Sequence, residues 1–176
     1  VHDMKGWTND VYKLTRNKVN SDLNVAKQNF YAKGSPEIIN GNMTLVDSSG
    51  DRYVVNGNFE IVDRVQEMVG GAATVFQVYN NSYDVRISTN VIGTDGQRAV
   101  GTLLTDNVYE VAVKQGVTYY GRRDLFGKNY VTAYEPIKDK SGKVIGVLFV
   151  GTEEGDTLDV VKKSIRDTVV GTNGYM

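Results

Sequence analysis

Residues 117–153, VTYYGRRDLFGKNYVTAYEPIKDKSGKVIGVLFVGTE, read as three consecutive β-strands. The arms VTYYGRRD (117–124), KNYVTAYEPIKD (128–139) and KVIGVLFVGTE (143–153) are rich in β-branched and aromatic residues. The linker KDKSGK carries Ser141-Gly142, which suits a hairpin loop. Two upstream runs, AATVFQVY (72–79) and YDVRISTNV (83–91), have the same character, so the spacing predicts an antiparallel sheet of about five strands. A helix over about Thr105 to Lys114 interrupts them, with Val108, Val111 and Ala112 on one side and Gly116 as its stop.

Working outward, Met43 to Val46 and Arg52 to Asn56 flank the turn formers Asp47-Ser48-Ser49-Gly50-Asp51 and read as a hairpin. Asn58 then caps a short helix carrying Phe59, Val62, Val65 and Met68, which Gly70-Gly71 ends. The first thirty-odd residues place Met4, Trp7, Val11 and Leu14, then Val19, Leu23, Ala26 and Phe30, at helical spacing. The five-residue step from Leu14 to Val19 turns that stripe by about 140° at about 100° per residue, so one helix presents two apolar faces. The second face is expected on the domain's own sheet, the first against a second subunit or near a membrane. A kinked helix packed throughout on its own domain is the alternative. Downstream, GDTLDVVKKSIRDTVV (155–170) spaces Leu158, Val161, Ile165 and Val169 as an exit helix. The fold class is α+β: a long N-terminal helix packed on an antiparallel sheet of about five strands, with a C-terminal exit helix. Residues 34–72 and 92–116 are the material expected to cover the sheet's other face.

Composition narrows the chemistry. In 176 residues there are 20 Lys and Arg against 21 Asp and Glu, a net charge of −1 with no basic stripe, which argues against nucleic-acid binding. The absence of cysteine excludes disulfides, thiolate catalysis, cysteine-ligated metals and c-type haem attachment. The single histidine, His2, stands at the chain start, which removes Ser-His-Asp triads and paired-histidine metal sites. The longest apolar run, Val147 to Val150, is far short of the about 20 residues that span a bilayer. Among enrichments, 11 tyrosines supply aromatic hydroxyls.

GAATVFQ (71–77), DVRISTNVIGTDGQRAVGT (84–102) and YYGRRDLFGKNYVTAYEPIKDKSGKVIGVLFVG (119–151), taken in order, resemble the Cache domain of bacterial and archaeal chemoreceptors and sensor kinases, specifically the Cache-three/Cache-two fusion type. That resemblance implies a PAS-like fold on the outer side of the cytoplasmic membrane that binds small metabolites and signals through its terminal helices. It divides the chain into a signalling and dimerisation helix (1–34), a ligand-binding domain (35–153) and an exit helix with a lead-in to a next module (154–176). The Arg-x-Trp-Tyr element of amino-acid-binding relatives is absent, since the only tryptophan is Trp7, and so is Cys-x-x-Cys-His. The resemblance therefore points to a small organic acid of the acetate, propionate, lactate or pyruvate class, with no cofactor.

Strict alternation groups Arg86, Ser88 and Asn90 on one face of their strand, where a covered arginine calls for an anion. The same logic places Arg122 with Thr118 and Tyr120, and Arg123 opposite. Two arginines on neighbouring strands can clamp one carboxylate. Tyr130, Thr132 and Tyr134 share a polar-aromatic face, Thr74 and Phe76 offer a hydroxyl and an apolar floor, Thr89 reaches the site through the strand end, and Arg98 lies in a Gly-flanked loop. The resemblance assigns the positions of Arg86, Arg122 and Tyr130 to the ligand wall. The expected role is an extracytoplasmic sensor domain of a membrane receptor, anchored through segments outside this sequence and dimeric through its N-terminal helix, not an enzyme. The alternatives are a ligand-free dimerising or docking spacer and a paired-carboxylate hydrolase using Glu135 with Asp124.

Overall fold

The computed structural model describes residues 2–104 and 106–154, with side chains described from Tyr12 onward except at Asp106. Helix α1 (His2–Tyr31) opens the chain. A three-stranded sheet follows, β1 (Ser35–Ile39), β2 (Asn42–Val46) and β3 (Arg52–Val54), then helix α2 (Glu60–Val69). The main sheet comprises β4 (Ala72–Tyr79), β5 (Tyr83–Thr89), β6 (Tyr119–Leu125), β7 (Lys128–Lys138) and β8 (Val144–Glu153). Its order is β5-β4-β8-β7-β6, every pairing antiparallel, so the five expected strands form one sheet in an α+β fold.

One face of this sheet carries the larger core. Val19, Leu23, Ala26 and Phe30 of α1 meet Val75, Val131, Ala133, Leu148 and Val150 there. Leu14 lies outside that seam and is exposed. The expectation that residues 34–72 cover the opposite face is corrected. Ile61, Val62 and Val65 of α2, with Met43 and Leu45 of β2, join α1's core on the same side. The reason is amphipathicity: α2 has one apolar stripe, and α1's covers only part of the sheet. β1 is an element that the sequence pattern did not suggest, because Pro36 and Glu37 interrupt its apolar run; at an edge, paired only with β2, its proline is tolerated.

Among the described residues, segments between Val91 and Gly116 cover the second face. Val91, Ala99, Val108 and Ala112 pack there on Phe76, Tyr134, Val147 and Phe149. The helix expected over 105–114 is a short α-helical turn, α3 (Asp106–Val108), running into a π-helical segment, Tyr109–Lys114. The exit helix expected after Glu154 lies outside the described residues, as do the side chains of Met4, Trp7 and Val11.

Candidate functional site

Two local events decide which side chains reach the second face. The first is a β-bulge between β4 and β5, where Phe76 opposes Arg86, Val75 opposes Ser88, and Ile87 is the extra residue. Arg86 and Thr89 therefore both lie on the face of Thr74 and Phe76. Ser88 and Ile87 turn to the α-helical side, where the Ser88 hydroxyl donates to the Asn58 carbonyl at 2.6 Å and Ile87 joins the α1 core. The expected grouping of Arg86 with Ser88 and Asn90 is corrected by this bulge.

The second event is the turn between β6 and β7. Leu125 pairs with Lys128 across the two residues Phe126 and Gly127, both at positive φ (53° and 85°), so the register is fixed by a tight hairpin. Arg123 then opposes Tyr130, Gly121 opposes Thr132, and Tyr119 opposes Tyr134. Tyr130, Thr132 and Tyr134 share the second face, as expected, and Tyr119 and Arg123 share it with them. Arg122 and Tyr120 do not, and their expected faces are corrected. The Arg122 guanidinium stacks 4.5 Å from the Tyr12 ring and pairs with Glu154 at 2.8 Å. The Tyr120 hydroxyl donates to Asn20 at 3.0 Å, with Arg16 over its ring. Both residues fasten α1 to the sheet edge.

Arg86, on the edge strand β5, faces the second covering and is only 6% exposed. Its Nη1 donates to Thr102 Oγ1 at 2.8 Å and to the Leu103 carbonyl at 3.2 Å, while its Nε has no hydrogen-bond partner. Its guanidinium lies 4.8 Å from the Phe76 ring and 5.7 Å from that of Phe126. Burial first, then the charge of Arg123, lowers its pKa, and Tyr134 opposes them. Arg123 donates to Asn107 at 3.1 Å and also bonds the Tyr134 hydroxyl. Burial raises the pKa of Tyr134, against the pull of both arginines. Its ring packs on Phe149, Tyr119 and Phe76 with centroids 4.9, 5.9 and 6.2 Å away.

The Thr74 and Thr89 hydroxyls bond each other at 2.7 Å in full burial. Thr132 spends its hydroxyl on the Gly121 carbonyl at 2.9 Å. Tyr130, half-buried, faces a hollow of about 480 Å³ at the end of β8, shared with Lys18, Asn90, Lys128 and Glu153. Arg98 is a fastener: it pairs with both oxygens of Asp63 on α2, at 2.7 and 2.9 Å, which ties the covering loop to the helix. Sequence reasoning missed Arg123, Tyr119 and Asp84 as residues of this face. Asp84 is 1% exposed, opposes Val78, and neither of its carboxylate oxygens has a partner.

The hydrolase alternative loses its geometry. Asp124 opposes Asn129, six residues along β7 from Glu135, which is about 20 Å at about 3.3 Å per residue, while paired carboxylates work at about 5–10 Å. Glu135 is engaged on the α1 side by Lys27 and Thr118. Among the described residues no cluster of three or more metal-ligating side chains forms. What the second face can do is hold an anion against a buried guanidinium, with aromatic rings excluding water.

A family model, the Cache 3/Cache 2 fusion domain, matches residues 1–176. The chain belongs to this family. No curated protein sequence matches it. Among solved structures, the sensor domain of DcuS from E. coli is similar at 20% identity and a TM-score of 0.57, over 85% of this chain and 98% of that one. The ligand-binding domain of the Campylobacter jejuni chemoreceptor Tlp3, in complex with L-norvaline, is similar at 15% identity and a TM-score of 0.48. That match covers 91% of this Cache chain and 62% of Tlp3's, so the chain spans less than two-thirds of the Tlp3 domain. The DcuS likeness shows the Cache fold, in which α1 and the covering segment 91–116 take opposite faces of one sheet.

Proposed function

We propose that this Cache domain is the ligand-binding sensor module of a membrane receptor, lying on the outer side of the cytoplasmic membrane, and that it takes a small carboxylate at Arg86. The observation that carries the reading is Arg86 itself: a guanidinium buried to 6% exposure, without a carboxylate partner among the described residues and with its Nε bare. A buried cation with no counter-ion is costly, and a bound carboxylate would remove that cost. Arg123 and Tyr134 supply a second cation and a hydroxyl beside it, Phe76 the floor, and Thr74 and Thr89 a polar flank. Tyr130 and Thr132 extend the same face. Ser88, Arg122 and Tyr120 have no part in the proposed site. The signal passes through the terminal segments of the chain, and two copies associate through the N-terminal helix α1.

A thermal-shift series tests this. Acetate, propionate, lactate or pyruvate should raise the melting temperature while the matching neutral amides do not, with about 2.7 kcal/mol of stabilisation at one hundred times the dissociation constant. Arg86→Ala should abolish the effect. A flat response to every carboxylate would favour the ligand-free spacer.

A further inference from the structure

Helix α1 and the edge strand β6 hold each other through two reciprocal stacks. β6 places Arg122 over the ring of Tyr12 at 4.5 Å, and α1 places Arg16 over the ring of Tyr120 at 4.1 Å. A guanidinium lying on a ring keeps its N–H groups directed outward in its own plane, where an oxyanion can accept from two of them at once. The first stack is completed by such an anion, because Glu154 pairs with Arg122 Nε at 2.8 Å. The second is not: among the described residues, Arg16 has no acidic partner.

Where a carboxylate would complete it, the Arg16 stack faces a hollow of about 400 Å³ lined by Tyr12, Lys13, Arg16, Asn17, Asn20 and Tyr120. No acid is among these six residues. Elsewhere on α1 charge is balanced: Lys18 pairs with Asp22 at 2.6 Å and Lys27 with Glu135 at 3.4 Å. Lys13 and Arg16 are therefore the described cations of the helix that lack an acid. The amides add donors. The Tyr120 hydroxyl donates to Asn20 Oδ1 at 3.0 Å, which occupies that oxygen and leaves Nδ2 to donate.

We propose that this groove binds a phosphate group, as the free dianion or as a small phosphomonoester, and thereby ties α1 to β6. The groove lies on the α1 side of the sheet, so the inference is independent of the carboxylate reading of Arg86, which faces the other covering. The donors select phosphate over carboxylate. Two unpaired cations and two amide nitrogens match a group with two charges and at least three acceptor oxygens, whereas a carboxylate brings one charge and two oxygens. Arg16 supplies the planar fork and Lys13, three residues earlier on the same helix face, the point charge. Both side chains are exposed, so binding weakens as salt rises. Phosphate held there would set how firmly α1, the proposed signalling helix, seats on the sheet.

Titration calorimetry on the 176-residue chain at about pH 7.5 and constant ionic strength tests the proposal with inorganic phosphate, glycerol 3-phosphate and acetate. At least one of the two phosphates should bind saturably, and the tighter of them tells the free from the esterified source. Arg16→Ala and Lys13→Ala should each weaken that binding tenfold or more. Arg52→Ala, which removes an exposed arginine on β3, should leave it within twofold. Acetate binding should be the same in wild type and Arg16→Ala. The absence of saturable binding by both phosphates would overturn the proposal, as would binding that survives both Arg16→Ala and Lys13→Ala or that Arg52→Ala weakens as much. An acetate affinity that depends on Arg16 as strongly as the phosphate affinity would overturn the choice of phosphate.

Discussion

The burial of Asp84 has a consequence for stability. Its carboxyl rises from 3.8 to about 7 in the fold, so between those values the native state holds a proton that the unfolded chain has released. Stability is therefore present in full below about pH 4 and falls as pH rises toward 7. From pH 5 to pH 8 this one group should cost about 2–3 kcal/mol, at 1.36 kcal/mol per unit. Urea unfolding at the two pH values should show wild type losing that much more than Asp84→Asn; equal losses would show that Asp84 titrates near its ordinary value. Nothing in the sequence marks Asp84 as buried, because an acid beside a turn, here Asn80-Asn81-Ser82, ordinarily faces water. Arg86 was legible, since an arginine inside a β-rich run followed by a covering loop invites burial. Ser88 was misread because alternation assumes no bulge, and one inserted residue moves every side chain beyond it to the other face.

At the scale of elements, β1 and the π-helical form of 109–114 excepted, the strands and helices were legible because their periods are strong: alternation through 128–138, helical spacing through 19–30, and glycine stops after 69 and 115. Register was harder. The β6 faces followed from treating its alternation alone, yet the turn held the answer. A two-residue hairpin at Phe126-Gly127 forces Arg123, not Arg122, onto the face of Tyr130, Thr132 and Tyr134. Close approach between elements was not readable at all. Gly146 of β8 lies where β2 and β4 converge, and a methyl group built there would come within 2.2 Å of the Phe76 carbonyl oxygen and 2.4 Å of Met43 Cε. Gly146→Ala should destabilise the fold by about 2–3 kcal/mol through overpacking, read as a lower urea midpoint. A midpoint within about 0.5 kcal/mol of wild type would mean that the two sheets are not wedged together at Gly146.

Over the whole molecule, one sheet separates two unlike coverings. The α1 side is a continuous apolar core that also takes in α2 and the small sheet. The opposite side is a thinner layer of loop and π-helical chain over buried polar groups, Arg86, Asp84 and the Thr74–Thr89 pair. The larger core lies under the first covering, and the proposed binding under the second. The two sides meet near the end of β8, where Asp22 of α1 pairs with Lys18 at 2.6 Å and accepts from Thr152 at 3.5 Å. Binding of a carboxylate on the thin side, at Arg86, is the proposed function. It is tested most directly by following the arginine Nε–Hε resonances of the isotope-labelled domain while a carboxylate that stabilises it is added. A carboxylate held at Arg86 should give a large downfield shift of the Arg86 Nε–Hε signal and a smaller change at Arg123. Arg122, on the α1 side with Tyr12 and Glu154, should stay in place. A shift at Arg122 with Arg86 unmoved would contradict it.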